Sequence, residues 1–259
     1  MNLFNFDIPA FLQFVMVFVR ISAVVYSIPI IGSQTVPKTA KIGLAAAIAF
    51  IAFSSIKLQP VDLSMPIMKL ILMLLGEVAI GLTIGFAAQL IFTAVQLAGS
   101  VIGFQMGFAI VNVMDPATQE QVSITAQFQN IMALLIFLAI DGHHMLINAS
   151  VRSFEMIPLL GFNPSSGIVE IMLLLTKNVF ISAIKIAAPI MAALFLLNVA
   201  LGLVARTVPQ MNVFIIGFPL QIAVGLFMIG ATAPIFGLLF KNDFMELEHS
   251  LHAIFRLLA

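Results

Sequence analysis

Apolar residues along this chain run in blocks, several long enough to cross a hydrocarbon core of about 30 Å, which takes about 20 helical residues. The blocks are Ile8–Ile30, Ile42–Ile56, Ile67–Leu97, Thr125–Ile140, Ile168–Val204 and Val213–Phe240. They predict an all-α membrane protein with about six hydrophobic helical segments, within a range of five to eight crossings. Ile42–Ile56 and Thr125–Ile140 are short for a full crossing. Ile67–Leu97 and Ile168–Val204 are long enough for a bent helix or a tight hairpin, and Pro189 inside the second predicts a kink. The first block reads as a retained helix and not a cleaved leader. Met1 to Asp7 carries no Lys or Arg, Arg20 interrupts the apolar run, and no small-residue cleavage pattern follows. Asp7 is placed to cap that helix, with Pro9 in its first turn.

The last stretch, 242–259, has a different pattern. Phe244, Leu247, Leu251, Ile254, Phe255 and Leu258 recur at helical spacing, with Glu246, Glu248, His249 and Arg256 elsewhere around the helix. This predicts a short amphipathic helix at a surface, appended to a single integral membrane domain that takes in all of 1–259.

Composition sharpens the picture. Of 259 residues, 62% are hydrophobic and 8% charged, against about 25% charged in a soluble domain. Mean hydropathy is +1.17. A soluble enzyme is excluded. The balance of 11 Lys+Arg against 11 Asp+Glu argues against nucleic acid as a partner. The absence of cysteine excludes disulfides, thiolate metal sites and Cys nucleophiles. With six crossings, Lys38, Lys41 and Arg206 fall on one side and Lys57, Lys69, Arg152, Lys241 and Arg256 on the other, a weak bias placing the ends inside. There are 24 Phe, one Tyr and no Trp, so the usual headgroup anchors are nearly missing. This is either compositional drift or a sign that much of the chain meets other protein.

Gly99, Gly103 and Gly107 repeat every four residues, as do Gly81 and Gly85 upstream. Such spacing lays a bare groove along a helix where another backbone approaches closely. The groove serves either packing within the chain or association with other subunits. After Gly107 an apolar stretch (Phe108, Ile110, Val111, Val113, Met114) leads to Asp115 and Pro116, which end the helix, and then to the polar run 117–123. A polar break at membrane depth must be packed in protein or face water; otherwise the stretch is a surface loop.

Arg20, Glu77 and Lys185 sit inside apolar runs. Each is expensive in hydrocarbon. An ion pair between two of them, or with another subunit, offsets that expense, and a structural salt bridge is favoured over substrate binding. His143 and His144 follow Asp141 and Gly142, a capped turn and not a metal site, since adjacent histidines on a helix diverge. His249 and His252 lack a completing ligand set and read as a solvated face. Phosphate-binding loops, dinucleotide fingerprints and nucleophile elbows are absent. No catalytic, cofactor or metal residues emerge. A small-molecule secondary transporter is the main rival reading; it predicts internal repeats around a midplane site, and no second half matching the first is visible. An intramembrane enzyme and a purely structural scaffold are the others.

Several markers occur together and in order: Arg20 then Pro29; Val36-Pro37-Lys38 with Lys41-Ile-Gly43; Ala98-Gly99; Gly103-Phe-Gln-Met-Gly107; and Asp115-Pro116-Ala117. They continue with Leu135-Ile-Phe-Leu138, Gly142-His143, Ser153-Phe154 and Pro158; Asn198-Val-Ala-Leu-Gly202; and Arg206-Thr-Val-Pro209-Gln-Met-Asn212 through to Pro219. Over nearly its whole length the chain resembles the FliR family of flagellar biosynthesis proteins, which includes the injectisome counterpart SctT. Ser100 stands where such proteins often have Glu, and Asp141 where they often have Asn. The resemblance implies one copy joined to FliP and FliQ homologues in a helical export gate, with FlhB and FlhA homologues in the same machine. It implies unfolded flagellar proteins as the cargo, and a place in the inner membrane at the centre of the flagellar basal body. It further implies a FliP-like part followed by a FliQ-like hairpin, and an apolar plug loop that by its motif matches 105–123. On that basis Met106, Phe108, Ile110, Val111, Val113 and Met114 are expected to form an apolar constriction, with Gln105, Asp115 and Pro116 in the same loop.

Overall fold

A computed structural model describes residues 8–56, 66–108, 123–159, 161–162, 167–208 and 212–258, without the side chains of Val213 and Phe214. Among the described residues it is an all-α membrane protein. The helices are α1 (Ile8–Ser27), α2 (Lys38–Ser55), α3 (Ile67–Gln105), α4 (Ile124–Ala139), α5 (Gly142–Met156), α6 (Gly167–Thr207) and α7 (Val213–Leu258). Five are long and apolar enough to cross a membrane, or six if α4 and α5, bent by 63°, form one crossing. With no water to satisfy a peptide group in hydrocarbon, an apolar run keeps its hydrogen bonds inside the helix.

The two long blocks resolve as unbroken helices, α3 with 39 residues and α6 with 41, and not as hairpins. Pro66, just before α3, accepts from the amides of Lys69 and Leu70 and so opens the helix. Pro189 in α6, and Pro219 and Pro234 in α7, stand inside continuous helix. The tail is likewise not a separate helix, because Lys241, Asn242 and Asp243 carry α7 without a break into 244–258. Its six apolar side chains are all buried, so that stripe packs inside the protein and not on a membrane surface.

The chain divides into two compact units: unit 1 is 1–90, 138–175 and 244–259, and unit 2 is 91–137 and 176–243. The core of unit 1 joins Met16, Val17, Ile21 and Val25 of α1, Ala45, Ala49 and Ala52 of α2, and Phe154 and Leu159. The small residues of α2 let it lie close along α1. In unit 2, Phe92 of α3, Phe137 of α4 and Phe240 of α7 meet edge to face, with ring centroids 5.6 and 5.4 Å apart. The α6 and α7 segments of unit 2 run antiparallel: Leu201 lies beside Gly217, and the Gln221 amide donates to Asn198 Oδ1.

Candidate functional site

Arg20 is completely buried, halfway along an apolar helix. Its Nε donates to Glu77 Oε2 at 2.5 Å. Nη1 donates to Ser153 Oγ at 3.0 Å, and both Nη atoms donate to the Ile157 carbonyl at 3.2 Å. Phe154 lies under the guanidinium, 3.9 Å from carbon to ring centroid. The fork of the guanidinium suits this role, since one cation engages a carboxylate, a hydroxyl and a carbonyl at once. Ile157 caps the end of α5, where carbonyls gather negative charge. Arg20 thus ties α1 to α3 and α5 inside unit 1.

The glycines make two seams, each filled by this chain. A Cβ on Gly81 would sit 2.5 Å from the Arg20 carbonyl, and one on Gly85 would overlap Ser27, so the first pair receives α1. A Cβ on Gly99 would overlap the Ala126 backbone, and one on Gly103 would overlap Ser123 and Thr125, so the second pair receives the start of α4. Thr125 Oγ1 donates to the Gly99 carbonyl at 2.7 Å, a polar lock on the same seam. Of the two expectations for the groove, packing within the chain is what these four glycines do.

Gly107 is different. Its φ is +87°, and it lies beyond α3. Its amide donates to the Phe104 carbonyl at 3.1 Å, and the Phe108 amide donates to the Gly103 carbonyl at 3.1 Å. That pair of bonds is a Schellman cap, with Gly107 at the left-handed position. The four-residue spacing had grouped it with the stripe; its work is to stop the helix.

Met106, expected in an apolar constriction, is instead a core side chain: it is fully buried and lies where a Cβ on Gly225 of α7 would fall. Gln105 is half-buried, and its Oε1 is buried with no hydrogen-bond partner among the described residues. Phe108 is half-buried. Ile110, Val111, Val113, Met114, Asp115 and Pro116 lie outside the described residues, as does Asp7. The segment's two ends are anchored together: Gly107 closes α3, and Ser123 sits over Gly103 with its hydroxyl 2.6 Å from Thr125 Oγ1.

Lys185, expected to be buried, is exposed on α6. It shares its exposed stripe with Ile181, Ile184 and Ala188, and it has no ion pair among the described residues. Conversely Lys41, read from sequence only as a flanking charge, is buried. Its ammonium donates to the carbonyls of Gly32 and Ser33 at 2.9 and 2.8 Å and lies 5.2 Å from the Tyr26 ring centre. It thereby holds the turn between α1 and α2, where Ile30 has a φ of +79°. A lysine three residues into a helix, facing a Gly-Ser turn, was the available signal.

Asp141 adopts a left-handed conformation at the α4–α5 bend. Its carboxylate and the rings of His143 and His144 can bring ligating atoms within 4.8 Å of one another. Adjacent histidines diverge along a helix, but in this first turn after the bend their rings lie 4.2 Å apart.

Residues 11–247 match the family of bacterial export proteins, family 1. The chain is 40% identical over 244 residues to the flagellar biosynthetic protein FliR of Bacillus subtilis (strain 168), covering 93% of each chain. It is 34% identical over 233 residues to the protein of the same name from Escherichia coli (strain K12), covering 88% of this chain and 87% of the relative. To that from Aquifex aeolicus (strain VF5) it is 30% identical over 227 residues, with 88% and 87% covered. With such agreement along almost the whole sequence, on a fold made of long apolar helices, the chain belongs to the FliR family of bacterial export proteins.

Proposed function

We propose that this chain is a subunit of the flagellar export apparatus, in which it joins FliP and FliQ homologues to form the pore that passes unfolded flagellar proteins across the inner membrane. FlhA and FlhB homologues work beside it in the basal body. Family membership over residues 11–247 supports a place in flagellar export. The observation that carries the gate reading is the anchoring of the central segment. It leaves from a helix locked by Gly107 and returns at Ser123, against the same stretch of α3. Two posts fixed over one stretch of α3 suit the mounting of a stopper.

Phe108, Ile110, Val111, Val113 and Met114 supply its apolar surface. A narrow apolar throat sheds water and blocks ions, and a pliable methionine repacks around varied side chains. Both properties suit a channel that seals when idle yet passes many sequences. The test is deletion of Ile110–Val122, leaving Ser123 and Thr125 to hold α4. Membranes carrying the deleted chain with its partners should leak ions while the complex is recovered intact. Conductance equal to that of the undeleted complex sinks the plug assignment.

A further inference from the structure

Lys185 sits near the middle of α6, with roughly 27 Å of helix before it and roughly 33 Å after it at 1.5 Å rise per residue. A lysine side chain is far too short to reach either end. It is nevertheless exposed, on a stripe of Ile181, Ile184, Lys185, Ala188 and Ala192 that recurs at helical spacing and is exposed throughout. Ala188 and Ala192 make a shallow notch of the kind that lets a second helix approach closely.

Among the described residues of unit 2, nothing answers this charge. The one carboxylate among them is Asp243, where the α7 segment of unit 2 ends, and no ion pair involves Lys185. Nearby, one acceptor is unfilled and another lacks its usual helical donor. Lys185 borders a cavity of about 20 Å³ with Gln129, Pro189 and Thr232. Gln129 is 4% exposed, and its Oε1 has no hydrogen-bond partner among the described residues. Pro189 has no N–H to satisfy the Lys185 carbonyl four residues back. An uncompensated ammonium on an apolar stripe at this depth calls for a carboxylate.

We propose that the α6 face of Ile181, Ile184, Lys185, Ala188 and Ala192 receives an apolar helix from a second polypeptide, whose mid-helix Asp or Glu pairs with Lys185. This rests on the reading that the chain works inside a gate assembly. Charge complementarity selects that occupant over a purely apolar helix, which would bury the ammonium unpaired.

The experiment uses the full chain co-produced with its gate partners. A photo-cross-linker at Ala188 in the otherwise unchanged chain should capture a partner helix bearing a mid-helix acid. Lys185→Glu should lower recovery of the complex on native electrophoresis at least tenfold, Lys185→Arg should retain it, and replacing the partner's acid with Lys should restore the Lys185→Glu complex. Cross-links to lipid alone, or recovery of Lys185→Glu at the unchanged level, overturn the proposal while leaving the gate reading intact. Failure of the unaltered chain to associate with any partner overturns the gate reading, and this inference with it.

Discussion

Arg20 and Glu77 stand 57 positions apart in sequence and meet at 2.5 Å in the core of unit 1, with neither side chain open to solvent. Taking two charges out of water is costly, and their attraction repays it only while both are present. Glu77→Gln leaves the guanidinium half-answered and should lower the stability of the solubilised chain by about 3–5 kcal/mol. The double variant Arg20→Met with Glu77→Leu, which removes both charges, should lose distinctly less. Thermal unfolding in detergent checks this; equal losses in the two variants would show that packing, not charge, sets the effect.

Gly99 and Gly103 face α4 of the same chain, so a bulky residue there should harm the chain before any partner is involved. Gly103→Leu drives a side chain into Ser123 and Thr125, an overpacking that typically costs about 1–3 kcal/mol. Limited proteolysis of the lone chain should show faster cleavage near 123–126. Unchanged protection of the lone chain, with loss only of the assembled complex, would mean that the seam serves association instead.

At Gly107 the backbone angle decides. Any side chain there meets Phe218, 2.8 Å from the new Cβ, so that clash is common to all replacements. Asn tolerates the left-handed conformation and Val does not. Gly107→Val should therefore be less stable than Gly107→Asn by about 1 kcal/mol, read as the difference between their denaturation midpoints. Equal midpoints would mean that the clash alone governs.

Lys41 holds two carbonyls of the α1–α2 turn, and Lys41→Met should strand that of Gly32 and leave that of Ser33 with the Val36 amide alone. The expected loss is about 1–3 kcal/mol, the usual consequence of leaving buried polar groups unanswered. Hydrogen exchange at the amides of Gly32, Ser33 and Val36 should quicken before exchange elsewhere in α1. By contrast, Arg152 and Glu248 face each other at 3.9 Å while largely exposed, and neutralising either should shift stability by about 1 kcal/mol at most.

How much of this was legible in the sequence follows the range of each interaction. The crossings were readable because apolar run length is a local property, and the spacing of Gly81, Gly85, Gly99 and Gly103 announced close approach. What approaches them was not readable, since the missing side chain is visible in sequence but the filler is remote: for Gly99 it is Ala126, 27 positions away, and for Gly85 it is Ser27, on another helix. The three charges in apolar runs were visible; only the fold could say that Arg20 meets Glu77 while Lys185 faces outward. Gly107 was misgrouped because a four-residue period continues through it, whereas its role depends on the left-handed turn that ends α3. The tail looked detached because its charge content changes at Lys241, yet lysine, asparagine and aspartate at three successive positions do not break a helix.

Unit 1 draws its parts from residues 1–90, from 138–175 and from the stretch beginning at Phe244. A ribosome lays down α5 before the apolar stripe from Phe244 to Leu258, whose segment lies beside α5 in the same unit, with Glu248 facing Arg152. Until that stripe is made, α5 lacks this neighbour, so maturation of the unit is a late event. Nascent chains interrupted before Leu258 would leave apolar surface uncovered, ready to be recognised by membrane quality control.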